Sequence, residues 1–120
     1  MKIAVLINGS GKHLDLLEEL YNEYNNLYSD VDFDFYVATW EDDIDYSNFK
    51  WITKYIRLKE EDCPYDLASH PAGRHQPHYS YTLFKAYQLI EGNYDAILQT
   101  RSDFYLCREL LDQLIKFYKD

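Results

Sequence analysis

The run ILQTRSDFYL, residues 97–106, is apolar at both ends and interrupted in its middle by Gln99, Thr100, Arg101, Ser102 and Asp103. A guanidinium and a carboxylate two residues apart on a strand point to the same side. Neither is buried without a partner except at high cost, so at a strand end they face water, join a surface ion pair or meet a charged ligand. The chemistry of the last case is specific. A guanidinium matches the oxygens of a diphosphate, and a carboxylate suits a divalent cation or sugar hydroxyls.

Four other groupings invite a chemical reading. NGSGKH, residues 8–13, follows an apolar run, but the phosphate-loop pattern needs a glycine where Leu6 stands and Ser or Thr where His13 stands. The dinucleotide GxGxxG pattern fails as well, because its third glycine would fall at Leu14. What survives is close backbone approach at Gly9 and Gly11, against an ordinary tight turn. His70, His75 and His78 with Cys63 have zinc-type donors but irregular spacing, which fits a polar loop better. Asp30, Asp32 and Asp34 lack the glycine and closing glutamate of a calcium loop and read as alternating solvent-facing strand residues. The acidic run 41–45 is ordinarily a solvated loop, yet it directly follows YVATW, where a carboxylate can accept hydrogen bonds from a base or ribose and Trp40 can stack on a flat ring.

The elements that must position these groups follow from periodicity. Residues 2–8, KIAVLIN, are a continuous aliphatic run of the kind buried on both faces of a parallel sheet. Over 13–28, Leu14, Leu17, Tyr21, Tyr24 and Tyr28 recur at helical steps and predict an amphipathic helix. Residues 33–40 predict a second strand and 54–58 a shorter, more polar one near a sheet edge. Residues 59–76 show no period and contain Pro64, Pro71 and Gly73, which predicts a long irregular loop. Pro77 suits the first turn of a helix with Tyr79, Leu83, Ala86 and Ile90 on its apolar face, closed by Gly92 and Asn93. A strand over 94–106 and a last helix over 108–119, with Leu110, Leu114 and Phe117 on its apolar side, complete the chain.

Strands alternating with helices predict an α/β fold with a mostly parallel sheet and flanking helices, as one Rossmann-like domain over residues 1–120. Ligands of such sheets bind beyond the carboxyl ends of the strands, which directs attention to residues 8–12, 39–43 and 100–103. The net charge of -9, from 12 Lys and Arg against 21 Asp and Glu, disfavours nucleic acid as a partner. A small phosphate-bearing ligand needs only a few local donors or a metal ion and is compatible with that charge. No apolar run approaches the roughly 18 residues of a membrane span, and Cys63 and Cys107 are isolated, so the expected setting is cytoplasmic. Aromatic residues make up 18% of the chain, 13 of them tyrosines, which suits core margins, interfaces and sugar stacking, and leaves a homo-oligomer or a non-catalytic interaction domain with a tyrosine-rich surface as the alternative function.

YVATW at 36–40, then HYSYTLFKAYQLIEGN at 78–93 leading into YDAILQTRSDFYL, resembles a family of GT-A-type glycosyltransferase-like proteins of bacterial and viral surface-polysaccharide clusters. In that family a strand ending in Thr-Trp precedes a helix of the Q..YS..KA type and a YD.I..TR.D strand. The resemblance implies the nucleotide-diphospho-sugar transferase fold, here its N-terminal, donor-binding half, and transfer of a sugar from a nucleoside-diphosphate sugar to a glycan or lipid acceptor. GT-A enzymes carry Asp-x-Asp at the end of the corresponding strand, with the carboxylates on Mn²⁺ or Mg²⁺. Arg101 stands at the first of those positions and Asp103 at the second, so the resemblance implies that Asp103 contacts metal or donor sugar while Arg101 neutralises phosphate. By the same analogy Asn8, Gly9, Thr39 and Trp40 border the nucleoside, and Gln76, Ser80 and Lys85 lie on the donor-side helix. The absent paired carboxylates put metal dependence in question, and GT-A enzymes continue past this motif into their acceptor site.

Overall fold

A computed structural model describes residues 1–41, 44–63, 75–102 and 104–119, with only the backbone described at 13 and 75–79. Four strands, β1 (Lys2–Gly9), β2 (Asp32–Trp40), β3 (Lys54–Leu58) and β4 (Ala96–Arg101), form one sheet in the order β3-β2-β1-β4, with every pairing parallel. Helix α1 (Leu14–Leu27), α2 (His75–Gln88) and α3 (Arg108–Lys119) flank it. The expected α/β class and parallel sheet are therefore present. β1 is central, and Ile3 through Asn8 are all buried, as its unbroken apolar run requires.

Right-handed crossovers dictate where the helices go. The chain steps from β1 to β2 to β3 in one direction and then returns past β1 to β4, so α2 must cover the face opposite to α1. The two cores obey this. On one face Ile3, Val5, Ile7, Phe35 and Val37 pack against Leu14, Leu17, Tyr21 and Tyr24 of α1, Tyr46 and Trp51 of the β2–β3 connection, and Leu111 and Ile115 of α3. On the other, Ala4, Leu6, Tyr36, Ala38 and Leu58 meet Tyr81 and Ala86 of α2. α2 lies over β1, β2 and β3, and Ile97 of β4 stays 47% exposed on that face.

Several sequence expectations shift. α2 begins at His75 rather than at Pro77, which falls within its first turn. β4 ends at Arg101, where Ser102 turns the chain, instead of running on to residue 106. α3 buries Leu111 and Ile115, whereas Leu110 is 47% and Phe117 82% exposed. The apolar arc of α3 is wide, and its contacts with the turn after α1 choose the inner part of it: the Tyr28 hydroxyl donates to Asp112 Oδ1 at 2.7 Å, and Lys119 Nζ donates to Asp30 Oδ2 at 2.6 Å. Tyrosines do not keep to the core margin either, since Tyr21, Tyr24, Tyr36 and Tyr46 are among the largest fully buried side chains. Asp34 is half-buried and accepts a hydrogen bond from the Tyr94 hydroxyl at 2.6 Å, and Tyr94 is also bonded to Tyr36, which fixes the α2–β4 turn beneath the amino ends of the strands.

Tyrosine burial is satisfied unevenly. The Tyr24 hydroxyl donates to Leu106 O at 2.6 Å. The Tyr21 hydroxyl lies near the same carbonyl without the geometry of a hydrogen bond, and burial pushes its pKa up to about 12. Trp51 Nε1, whose ring centroid is 5.4 Å from that of Tyr21, is likewise without a hydrogen-bond partner.

Candidate functional site at the carboxyl ends of β1 and β4

In this sheet the strand order reverses at β1: one connection leaves toward β2 and the chain later comes back on the other side as β4. The carboxyl ends of β1 and β4 border that reversal, where ligands of open α/β sheets bind, although both strands lead on to helices of the same face; the space above them on the α2 side is the candidate crevice. Register places Asn8 opposite Arg101 and Gly9 opposite Thr39. The residues singled out at three separate strand ends thus come together on one edge of the sheet.

The closeness of that edge depends on Gly9. Its φ is +130°, a conformation L-residues rarely adopt, and a Cβ placed there would stand 2.7 Å from Ser102 Oγ. Ser102 is buried and its N–H donates to Asn8 O at 2.9 Å, so the chain leaving β4 is drawn tightly across the end of β1. Ser10 follows and accepts from Lys12 N at 3.3 Å, capping the short 3-10 turn Gly11–His13 that leads into α1.

Asn8 is 0% exposed. Its Nδ2 donates to Thr82 Oγ1 of α2 at 3.0 Å, and its Oδ1 accepts from Gln99 Nε2 of β4 at 2.9 Å. A buried amide with both ends engaged positions its neighbours rather than meeting solvent, and here it locks α2 to β1 and β4 at the level of the crevice. Thr39 is equally buried and hydrogen-bonded to the Tyr46 hydroxyl on the α1 face, which turns it away from any ligand on the α2 side. Both residues sit where the sequence places them, in supporting positions.

What remains accessible is on the α2 face. Trp40 is half-buried and stacks with Tyr81 of α2, ring centroids 6.0 Å apart and planes 29° from parallel. Lys85 Nζ lies 5.6 Å from the Tyr81 centroid, one turn further along the helix. Burial, with the nearby Asp62 and Cys63, raises the Tyr81 pKa. Arg101 shares the face of its register partner Asn8; it is exposed, with its guanidinium 4.8 Å over the Phe104 ring. Ser80 is half-buried on α2, and the Gln76 side chain and Asp103 lie outside the described residues. So do Asp42, Asp43 and His70, and only the backbone is described at His75 and His78, the other zinc-type histidines.

A hard divalent cation takes carboxylate oxygens, and the described residues of the crevice supply amide, hydroxyl and guanidinium groups instead. The implied Mn²⁺ or Mg²⁺ therefore depends on Asp103 and finds no fit among the described residues. Sequence reading missed Tyr81 and Thr82 as members of this edge, and marked Gln99 and Ser102 within the polar interruption 99–103 without giving either a role. Their signal was faint: Gln99 and Ser102 are polar interruptions of an apolar strand, whereas Thr82 looks like any helical threonine until Asn8 is opposite it.

No protein-family model, no curated protein and no solved structure significantly matches the chain. Among the described residues no helix is long and apolar enough to cross a membrane.

Proposed function

We propose that the chain is a glycosyltransferase-like domain that binds a nucleoside-diphosphate sugar across the β1–β4 crevice. The observation that carries this is that one edge of the sheet, its carboxyl end, holds a glycine-permitted close approach between β1 and β4, an exposed guanidinium at the end of β4 and a stacked aromatic pair between the end of β2 and α2. In this reading Trp40, backed by the buried Tyr81, offers a flat surface to the base, and Arg101 meets the diphosphate. Asp103 takes the sugar hydroxyls or a cation, Gln76 and Ser80 stand near the amino end of α2, where N–H groups favour anions, and Lys85 adds positive charge along it. Catalysis, with a glycan or lipid as acceptor, rests mainly on stabilising the departing nucleoside diphosphate at Arg101 and Asp103. A cytoplasmic setting goes with this reading.

The test is thermal stabilisation by UDP- and GDP-sugars, with and without Mn²⁺. The reading expects a rise in Tm with at least one donor, larger with Mn²⁺, removed by Asp103→Ala and weakened by Arg101→Ala and Trp40→Ala. No rise with any nucleotide sugar in either condition would sink it.

A further inference from the structure

The two edges of the sheet are built differently. β3, at one edge, carries Lys54 and Arg57 and is followed by Lys59, the charge pattern that discourages strand addition. β4, at the other, presents Ala96, Ile97, Leu98, Gln99 and Thr100, five uncharged residues, and among the described residues no strand pairs with its outer side.

Both layers beside this edge are apolar and exposed. On the α2 face, Tyr81 and Lys85 turn toward the β2 and β3 side, where Tyr81 meets Trp40. Phe84 and Tyr87, 54% and 58% exposed, lie on the solvent side of α2, Tyr87 turned away from Tyr81 and Lys85, and Ile97 of β4 is half-uncovered on the same face of the sheet. On the opposite face, Asp112 and Lys119 of α3 reach back to Tyr28 and Asp30, in the turn that follows α1. The same geometry therefore puts Leu110 and Phe117 on the flank of α3 away from α1, beyond β4. A free strand with exposed apolar side chains above and below it has the form of an interface.

We propose that a second copy of this chain occupies it, β4 pairing antiparallel with β4 across a two-fold axis to make one continuous eight-stranded sheet. Charge favours a copy in this arrangement. The chain carries -9 overall, so two copies approach only through a locally neutral surface, and β4 is such a surface. Its flanking charges are opposite in sign: Asp95 precedes it and Arg101 ends it. Antiparallel pairing centred on Leu98 sets each Asp95 against Arg101 of the second copy, whereas the charged β3 edge meets its own like charges. The Asp95 carboxyl is held below the usual range by the Lys2 N–H and the Tyr118 hydroxyl, so it stays charged through the neutral range. The two-fold uses the β4 edge of each copy and closes at two. This inference does not rest on the ligand reading: the interface runs along the side of β4, and Arg101, at its carboxyl end, is the one residue that both readings use.

Sedimentation of the chain from micromolar to near-millimolar concentration is the test, with Ile97→Lys and Phe117→Glu as variants on opposite layers and Lys54→Glu as the control on β3. The expected result is a species of twice the chain mass that dissociates on dilution. Each β4-side variant weakens it by about tenfold or more, with an unchanged circular dichroism spectrum, and Lys54→Glu leaves it intact. The backbone amides of β4 that face outward exchange more slowly at high concentration. A chain that stays monomeric throughout overturns the proposal. So does an assembly that survives both Ile97→Lys and Phe117→Glu, or one that grows beyond two copies.

Discussion

Replacing Gly9 by alanine isolates the close approach on which the crevice depends. Two costs add. Holding an L-residue at a φ of +130° costs about 1–3 kcal/mol. The new Cβ would also stand 2.7 Å from Ser102 Oγ, and since Ser102 is 2% exposed the hydroxyl must leave its rotamer, at about 0.5–1.5 kcal/mol. The sum is about 1.5–4.5 kcal/mol, which for a chain of this size lowers Tm by roughly 6–18 °C. Urea unfolding of Gly9→Ala, Ser102→Ala and the double variant separates the terms. Ser102→Ala removes the clash, because Ser102 Cβ is 3.8 Å from the new atom, but leaves the backbone strain. Gly9→Ala should therefore be milder by about 0.5–1.5 kcal/mol in the Ser102→Ala background, and still destabilising. A Gly9→Ala protein within about 0.5 kcal/mol of the parent, or a loss abolished completely by Ser102→Ala, would refute the reasoning.

Two further substitutions probe the polar groups in the core. Asn8→Ala breaks both bonds of the Gln99–Asn8–Thr82 chain and should cost about 2–4 kcal/mol, with a coupling to Thr82→Val of at least about 0.5 kcal/mol in a double-mutant cycle; strict additivity would mean the bond contributes nothing. Tyr21→Phe removes a buried hydroxyl without a hydrogen bond and should raise stability by about 1 kcal/mol in urea unfolding. Because burial pushes the folded-state pKa of Tyr21 up to about 12 against 10.0 unperturbed, its titration leaves stability unchanged below pH 10 and lowers it as pH rises from there to about 12, where the unfolded phenol ionises first. Alkaline unfolding should accordingly be shallower in Tyr21→Phe than in the parent, and identical curves would show that this phenol does not titrate differently on unfolding.

The legibility of the fold varied with how many choices each segment left open. β1 was readable because a strand with six consecutive buried residues has nowhere to lie but the middle of a parallel sheet. α1 was readable because Leu14, Leu17, Tyr21 and Tyr24, which recur at helical steps, are the residues it buries. α3 was not, since Leu110, Leu111, Leu114, Ile115 and Phe117 form a broad arc, and only the contacts of Asp112 and Lys119 decide which part turns inward. At the candidate site the polar interruption beginning at Gln99 coincides with the end of β4 beside β1, because polar residues within a core strand need a local reason. Orientation was beyond it: Asn8 and Thr39 end adjacent parallel strands, yet one side chain faces α2 and the other Tyr46, and both are buried. Burial of whole tyrosines was hidden too, since the residue type fits core and rim alike.

The two tryptophans stand on opposite sides of the sheet. Trp51 is enclosed by Tyr21, Phe35 and Phe49 on the α1 face, and Trp40 is half-buried against Tyr81 beside the crevice. The molecule thus contains a matched pair of intrinsic fluorophores. Emission from Trp51 reports the aromatic interior, with excitation energy collected from Tyr21, while Trp40 reports solvent and solutes at the strand ends. Replacing either by phenylalanine leaves a single-colour sensor for one half of the protein, so loosening of α2 can be followed separately from melting of the core.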